Sequence, residues 1–311
     1  MATEHFFDYQ ILDERFRALI KPEEPVTKLY DGLSWGEGPC YFPLGDFLLF
    51  SDVRSDRMYQ YADGIGARVF RSPSHHSNGN ARDLRGRLVT CEHSGRRVTR
   101  TELDGSLTVV ADSYRGKRLN SPNDIVVKTD GSIWFTDPTY GLREDVPPGE
   151  AEQELEGCFV FRLDPASGTL DIVGDEMSMP NGLAFSPDEK TLYVADSARK
   201  SATGGDRSGP PHILAFDVEA GWKLGNPRVF AIVDTGVSDG FRIDSVGNLW
   251  SSAGDGVSCF SPEGELLGKI VLPETVTNLE FGGPERNRLF ITGATALYAV
   301  NVKAWAPDRP F

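Results

Sequence analysis

Short runs of β-forming residues recur along the whole chain, each followed by polar turn residues: Phe47-Leu48-Leu49-Phe50, Ile133-Trp134-Phe135-Thr136, Leu192-Tyr193-Val194-Ala195, Leu249-Trp250-Ser251-Ser252 and Leu289-Phe290-Ile291-Thr292. Asp-Gly, Pro-Asp and Glu-Gly turns separate such runs, which marks an all-β chain built from hairpins. The runs also share a longer period. Glu37 leads Gly45 and Leu48 by the same interval that separates Asn78 from Gly86 and Val89, Asn123 from Gly131 and Trp134, and Asp239 from Gly247 and Trp250. Asn181 leads Tyr193 by one residue more, because the turn Ser186–Lys190 is longer by one. A sixth copy, Thr277-Asn278-Leu279-Glu280-Phe281, leads into Leu289-Phe290-Ile291. There the apolar pattern aligns Thr277 with the earlier polar residues, while plain counting aligns Asn278.

Each unit continues with a third strand, such as Cys158–Leu163 or Ile213–Val218, and a fourth, such as Arg228–Val233. Four antiparallel strands repeated six times predict a six-bladed β-propeller. The last unit has only three strands before Phe311. Val26–Tyr30 is therefore expected to supply its outer strand, joining the two ends of the chain and removing an exposed sheet edge. Upstream, Ile11–Ile20 has the spacing of a short amphipathic helix stopped by Pro22, expected to lie on the outside. On this reading residues 1–311 form a single domain, with residues 1–24 as an extension packed on it.

The first strand of each propeller blade lines the central tunnel, so the polar residue at its start faces the axis near one mouth. Glu37, Asn78, Asn123, Asn181 and Asp239 are thereby expected to converge from five blades. Two carboxylates among carboxamides, with no basic residue between them, call for a cation. The donors are all hard oxygens, with neither thiolate nor imidazole, which suits Ca²⁺ or Mg²⁺ better than structural Zn²⁺; one divalent ion is expected, Ca²⁺ first, with Mg²⁺ or Zn²⁺ as alternatives. Glu37, Asn181 and Asp239 are the expected ligands. Asn123 is a fourth neighbour, as ligand or substrate hydrogen-bonding group, and Asn78 a further one.

A plainer reading exists. Asn78-Gly79, Asn181-Gly182 and Asp239-Gly240 are common hairpin-turn dipeptides, and an inward polar ring can simply hold ordered water. Each dipeptide, however, runs straight into strand residues, and the turn comes only later. Two long polar connections, Gly141–Gly157 and Ala198–Pro211, follow second strands and should overhang the same mouth, where a substrate lid belongs.

Composition narrows the partners. Charged residues are 25% and the net charge is −14, so neither nucleic acid nor an anionic membrane surface is an expected partner. No apolar run approaches a membrane span, and the start Met1-Ala2-Thr3-Glu4-His5 lacks signal-peptide features, so a cytoplasmic location is expected. Cys40, Cys91, Cys158 and Cys259 lack any zinc spacing and read as buried free thiols. Gly32-Leu33-Ser34-Trp35-Gly36 matches the GxSxG nucleophile pattern but runs toward a strand instead of a helix. His75 and His76 would face opposite ways in a strand, and His93 reads as a wall residue of the active mouth rather than a base.

Glu37-Gly38-Pro39, Ser121-Pro122-Asn123-Asp124, Phe135-Thr136-Asp137-Pro138, Pro180-Asn181-Gly182-Leu183-Ala184-Phe185 and Asp239-Gly240-Phe241-Arg242-Ile243-Asp244 resemble, in order, the blade motifs of the gluconolactonase/regucalcin (senescence marker protein) family. The likeness runs over about residues 8 to 303, and the Ser-Pro-Asn-Asp form is similar to its bacterial lactonase branch. The resemblance implies one divalent metal on Glu37, Asn181 and Asp239, with Asn123 beside the substrate. The expected activity is metal-dependent opening of sugar lactones, such as gluconolactone, to the aldonic acid, with Asp239 as the base. The expected partner is a small sugar lactone, and the chain is a monomer or homodimer. A metal-dependent phosphotriesterase and a non-catalytic interaction propeller are the alternatives.

Overall fold

The structure, a computed structural model, describes residues 5–6, 8–143, 151–198, 212–220 and 222–308. Six antiparallel sheets of four or five strands follow one another along the chain, and a two-stranded hairpin, Ser113–Tyr114 with Lys117–Arg118, follows the second of them. Blade I is Gly36–Phe42, Phe47–Asp52, Arg57–Ala62 and Gly66–Arg71; blade II is Ser77–Arg82, Leu88–Glu92, Arg97–Thr101 and Leu107–Ala111. Blade III is Ile125–Val127, Ile133–Asp137, Phe159–Asp164 and Thr169–Gly174; blade IV is Pro180–Phe185, Thr191–Asp196, His212–Val218 and Leu224–Ile232. Blade V is Phe241–Ile243, Leu249–Ala253, Gly256–Phe260 and Leu266–Val271. In blade VI, Val276–Gly282, Arg288–Gly293 and Ala296–Asn301 are completed by Val26–Asp31, with Leu297 opposite Tyr30 and Ala299 opposite Thr27. The expected closure of the ring by the N-terminal strand is thus present.

Period-two alternation gives every strand one face for each neighbouring blade. The core accordingly divides into six apolar clusters, one in each gap between blades. Trp134 of blade III, fully buried, meets Phe185 of blade IV edge to face at 5.2 Å. Between blades V and VI, Trp250 meets Phe281 in the same manner at 6.1 Å.

The expected helix over Ile11–Ile20 is not formed. Tyr9–Ile11 is a strand that adds a fifth member to blade V, Ile11 lying opposite Gly268. Sheet pairing carries the chain as far as Asp13, whose side chain then caps a 3-10 helix of only five residues, Glu14–Ala18. Too few residues remain before Pro22 for an α-helix to pay back its nucleation. The outside packing does hold: Phe16 is fully buried, 6.0 Å from Trp250, in a space that a side chain at Gly268 would fill.

Candidate active site

At the start of the inner strands the ladder is broken by bulges, between Glu37 and Cys40, Ser77 and Asn80, Pro180 and Leu183, and Val276 and Asn278. A bulge re-aims side chains at a strand end, and here the re-aimed residues are the polar ones of the repeat. Glu37, Asn78, Asn123, Asn181 and Asp239 are all buried, between 3% and 6% exposed.

Backbone bonds link the blades around the axis at this level. Gly79 N–H donates to Asn123 O at 2.7 Å, Gly182 N–H to Asp239 O at 2.8 Å, and Gly240 N–H to Thr277 O at 2.7 Å. Gly38 lies against Asn78 O so closely that no side chain would fit. Glycine therefore follows Glu37, Asn78, Asn181 and Asp239 because the next blade lies flush against it, with a backbone carbonyl at Gly38, Gly79 and Gly182 and the Asn278 carboxamide at Gly240; the dipeptides are not hairpin turns. The hydroxyls of Ser51 and Thr136 brace the same ring, donating to Asn78 O at 2.8 Å and Asn181 O at 2.7 Å.

The sixth unit divides the role. Thr277 holds the backbone register, while the Asn278 carboxamide, carried across the bulge, lies against Gly240 and places Nδ2 3.4 Å from Glu37 Oε2. Both alignments left open by the sequence thus have a physical counterpart. Asn181 Nδ2 donates to Ser197 Oγ at 3.3 Å, and Ser252 Oγ accepts from Asp239 N–H at 2.8 Å. Asn78 Nδ2 lies 3.2 Å from His93 Nε2, and Asn78 Oδ1 is buried without a hydrogen-bond partner among the described residues.

His93 is a wall residue. Burial, with the neighbouring His76 as a lesser cause, lowers its pKa to about 3, so the imidazole stays neutral and accepts the Asn78 amide proton. His75 and His76 lie in a bend with φ of +58° and +52° rather than in a strand. Ser34 Oγ bonds Ser55 Oγ at 2.8 Å in an exposed loop that enters a strand, which removes the nucleophile pattern. Cys40, Cys91 and Cys259 are buried free thiols, but Cys158 is only half-buried.

Of the two long connections, 144–150 and 199–211 lie outside the described residues. The first begins as expected over the mouth, in a short 3-10 turn, Tyr140–Leu142. Gly141 N–H donates to Ser121 Oγ at 2.9 Å, and a side chain there would meet His93 and Ser121 at 2.8 Å. This holds the Tyr140 hydroxyl beside Ser197 and the Asp239 carboxylate without a well-formed hydrogen bond, and burial, then Asp239, drives its pKa upward. The sequence pattern did not single out Tyr140.

A second repeat also escaped the sequence reading. Asp52, Asp137 and Asp196 end the second strands of blades I, III and IV and accept N–H groups from the segments entering the first strands. The partners are Ser34 and Trp35 for Asp52, Asn120 for Asp137, and Ser178 and Met179 for Asp196, at 2.8–3.1 Å. The signal was present, as an acidic residue closing Phe50-Ser51, Phe135-Thr136 and Val194-Ala195.

Residues 35–295 match the family model described as the SMP-30/Gluconolactonase/LRE-like region. The chain belongs to this family. A gluconolactonase of Zymomonas mobilis is 33% identical over 94% of this chain and 85% of its own length. Pentonolactonase XacC of Haloferax volcanii is 26% identical over 86% of this chain and 85% of its own. Among solved structures, XC5397 of Xanthomonas campestris, described as a gluconolactonase important in glucose secondary metabolic pathways, superposes with a TM-score of 0.87. It is 38% identical and covers 96% of this chain and 95% of that one. All five ring residues fall inside the family match. Among the described residues no helix is long and apolar enough to cross a membrane, and no cluster of three or more His, Cys, Asp or Glu is placed to hold a metal. The ring of this family member has only two acidic members, with carboxamides for the rest.

Proposed function

We propose that this protein is a hydrolase that opens sugar lactones to aldonic acids at the Glu37–Asp239 mouth of its tunnel. The observation that carries this reading is the 33% identity to a gluconolactonase along 94% of the chain, joined to a buried ring of oxygen donors inside the family match. Val26–Asp31 completes blade VI and Tyr9–Ile11 extends blade V, which supports reading residues 1–311 as one domain.

Glu37, Asn181 and Asp239 would hold one divalent cation. The donor chemistry fits: the ring offers hard oxygens, and buried Asn78 Oδ1 has no protein donor facing it among the described residues. Oxygen donors without thiolate or imidazole favour Ca²⁺ first, then Mg²⁺, over Zn²⁺. Bound there, the ion would act as a Lewis acid toward the lactone carbonyl.

The protein groups supply the rest. Asp239 takes a proton from the attacking water as the new C–O bond forms, and returns it to the ring oxygen when the ester C–O bond breaks. Asn123 and Asn78, fixed by the interblade bonds and by His93, orient the ester. Tyr140 offers its hydroxyl to a sugar hydroxyl.

A pH-stat screen of aldonolactones, with a phosphotriester in parallel, tests the assignment on chelated protein before and after add-back of each metal. The expected result is lactone hydrolysis that chelation abolishes and a divalent ion restores. Asp239→Asn is expected to lower kcat by about 10²–10⁴-fold. Retention of full lactone hydrolysis by Asp239→Asn would overturn the assignment of the base.

A further inference from the structure

The inner strands run from the Glu37–Asp239 mouth to the opposite end of the tunnel. There a cavity of about 580 Å³ opens, to which every blade contributes, as with Cys40, Arg82, Val126, Phe185, Arg242 and Glu280. None of Glu37, Asn78, Asn123, Asn181 and Asp239 lines it. Between the two ends lies a buried layer. Asn80 spends its amide on Gly38 O, Asn78 O and Ser51 Oγ at 2.9–3.0 Å and takes the Thr90 hydroxyl at 2.8 Å. The C-terminal segment walls the far rim: Ser245 N–H donates to Trp305 O at 2.8 Å and Ala306 N–H to Arg286 O at 2.9 Å.

The charge of this cavity runs against that of the chain. Four arginines, Arg82, Arg85, Arg242 and Arg286, stand in its wall with a single acid, Glu280, on a protein of net charge −14. Two of them are neutralised. Arg242 Nε is 2.9 Å from Glu280 Oε2, and Arg286 Nη1 is 2.7 Å from Asp308 Oδ1. Neither Arg82 nor Arg85 has a carboxylate partner among the described residues. Arg82 lies instead toward Cys40, a thiol that burial pushes up to about 12 and that therefore supplies no counter-charge. Around these two cations the wall is apolar, with Val126, Phe185, Ile243 and Phe281. A guanidinium with free donors in such a wall matches a carboxylate, and the cavity has the size of ordinary small-molecule sites.

We infer that the far mouth is a second binding site, separate from the catalytic one, for a small organic anion with an apolar body: an aliphatic or aromatic carboxylate. Arg82 and Arg85 hold the carboxylate, and the hydrophobic wall takes the remainder.

Titration calorimetry of benzoate into the full chain tests this, with inorganic phosphate as the probe that lacks an apolar body. Saturable benzoate binding at one site is expected, with phosphate at least about tenfold weaker. Arg82→Ala should weaken benzoate by about tenfold or more, the loss of one charge-assisted pairing. Arg85→Glu, at an exposed rim position, should weaken it as well and carries the test should Arg82→Ala fail to fold. Asp239→Asn should leave benzoate binding unchanged. The inference fails if benzoate does not bind, if both arginine variants bind it like the parent, or if phosphate binds equally well. Loss of binding in Asp239→Asn would place the anion at the catalytic mouth and overturn it too.

Discussion

Tyr140 opens the 3-10 turn Tyr140–Leu142 that follows the second strand of blade III, its hydroxyl buried beside the Asp239 carboxylate. A buried hydroxyl without a well-formed bond is costly unless a ligand completes it, and a polyhydroxylated substrate is such a ligand. Tyr140→Phe should therefore lower kcat/KM for a sugar lactone by up to about tenfold, the worth of one hydrogen bond. It should leave an unsubstituted ring such as δ-valerolactone unaffected. Steady-state kinetics on the two substrates check this, and equal losses on both would assign Tyr140 a packing role. His93 behaves differently. Held neutral by burial, it lies with Nε2 against the Asn78 amide.

The inner strand is the element in which sequence and site meet. Polar residues in register were legible because each blade repeats the same local pattern, and Glu37, Asn78, Asn123, Asn181 and Asp239 needed only counting. The glycines after four of them were visible too, but their reason was not, since it lies in the neighbouring blade. A side chain at Gly182 would collide with Asp239 O and come within 2.8 Å of Gly240 Cα. Gly182→Ala is accordingly expected to cost about 1–3 kcal/mol, read as a lower denaturant midpoint, and to reduce kcat because the collision displaces Asp239. Asp137 is a similar case, its acceptor role being hidden until Asn120 folds back onto it. Burial raises its pKa from 3.8 to about 7, against the lowering effect of the Asn120 and Ser121 amides. The folded state thus binds this proton more tightly than the unfolded chain. The corresponding stability is complete below about pH 4 and is lost as pH rises through about 7. Denaturant midpoints across pH 4–8 should show the parent losing stability relative to Asp137→Asn over that window, with a constant difference above it. A difference independent of pH would mean that Asp137 does not titrate there.

At the scale of the whole molecule, the ring is closed by residues remote in sequence. Strand count alone foretold that Val26–Tyr30 would finish blade VI, because three strands leave an unpaired edge. The structure adds a second tie that no local pattern encodes, Tyr9–Ile11 on blade V, and it replaces the expected helix. Pairing with Lys269 and Ile270 overrode the amphipathic spacing there, since a strand in register satisfies more backbone groups than one isolated helical turn. Phe16, Ile20 and Val26 are fully buried in the cluster between blades V and VI, so the segment from Tyr9 to Asp31 acts as both clasp and core. Deleting residues 1–31 should then uncover the edges of Ala296–Asn301 and Leu266–Val271 together with that cluster. Edge-to-edge association is the physical consequence, and size-exclusion chromatography of the truncated chain should show aggregates. Phe16→Ala retains both strands and removes only packing, so it should remain unassociated beyond the parent's own state and lose about 3–5 kcal/mol in denaturant unfolding. A truncated chain that eluted and unfolded like the parent would show that the ring needs no clasp. If instead Phe16→Ala aggregated as the truncation does, packing at the seam, and not strand pairing, would be what holds the circle shut.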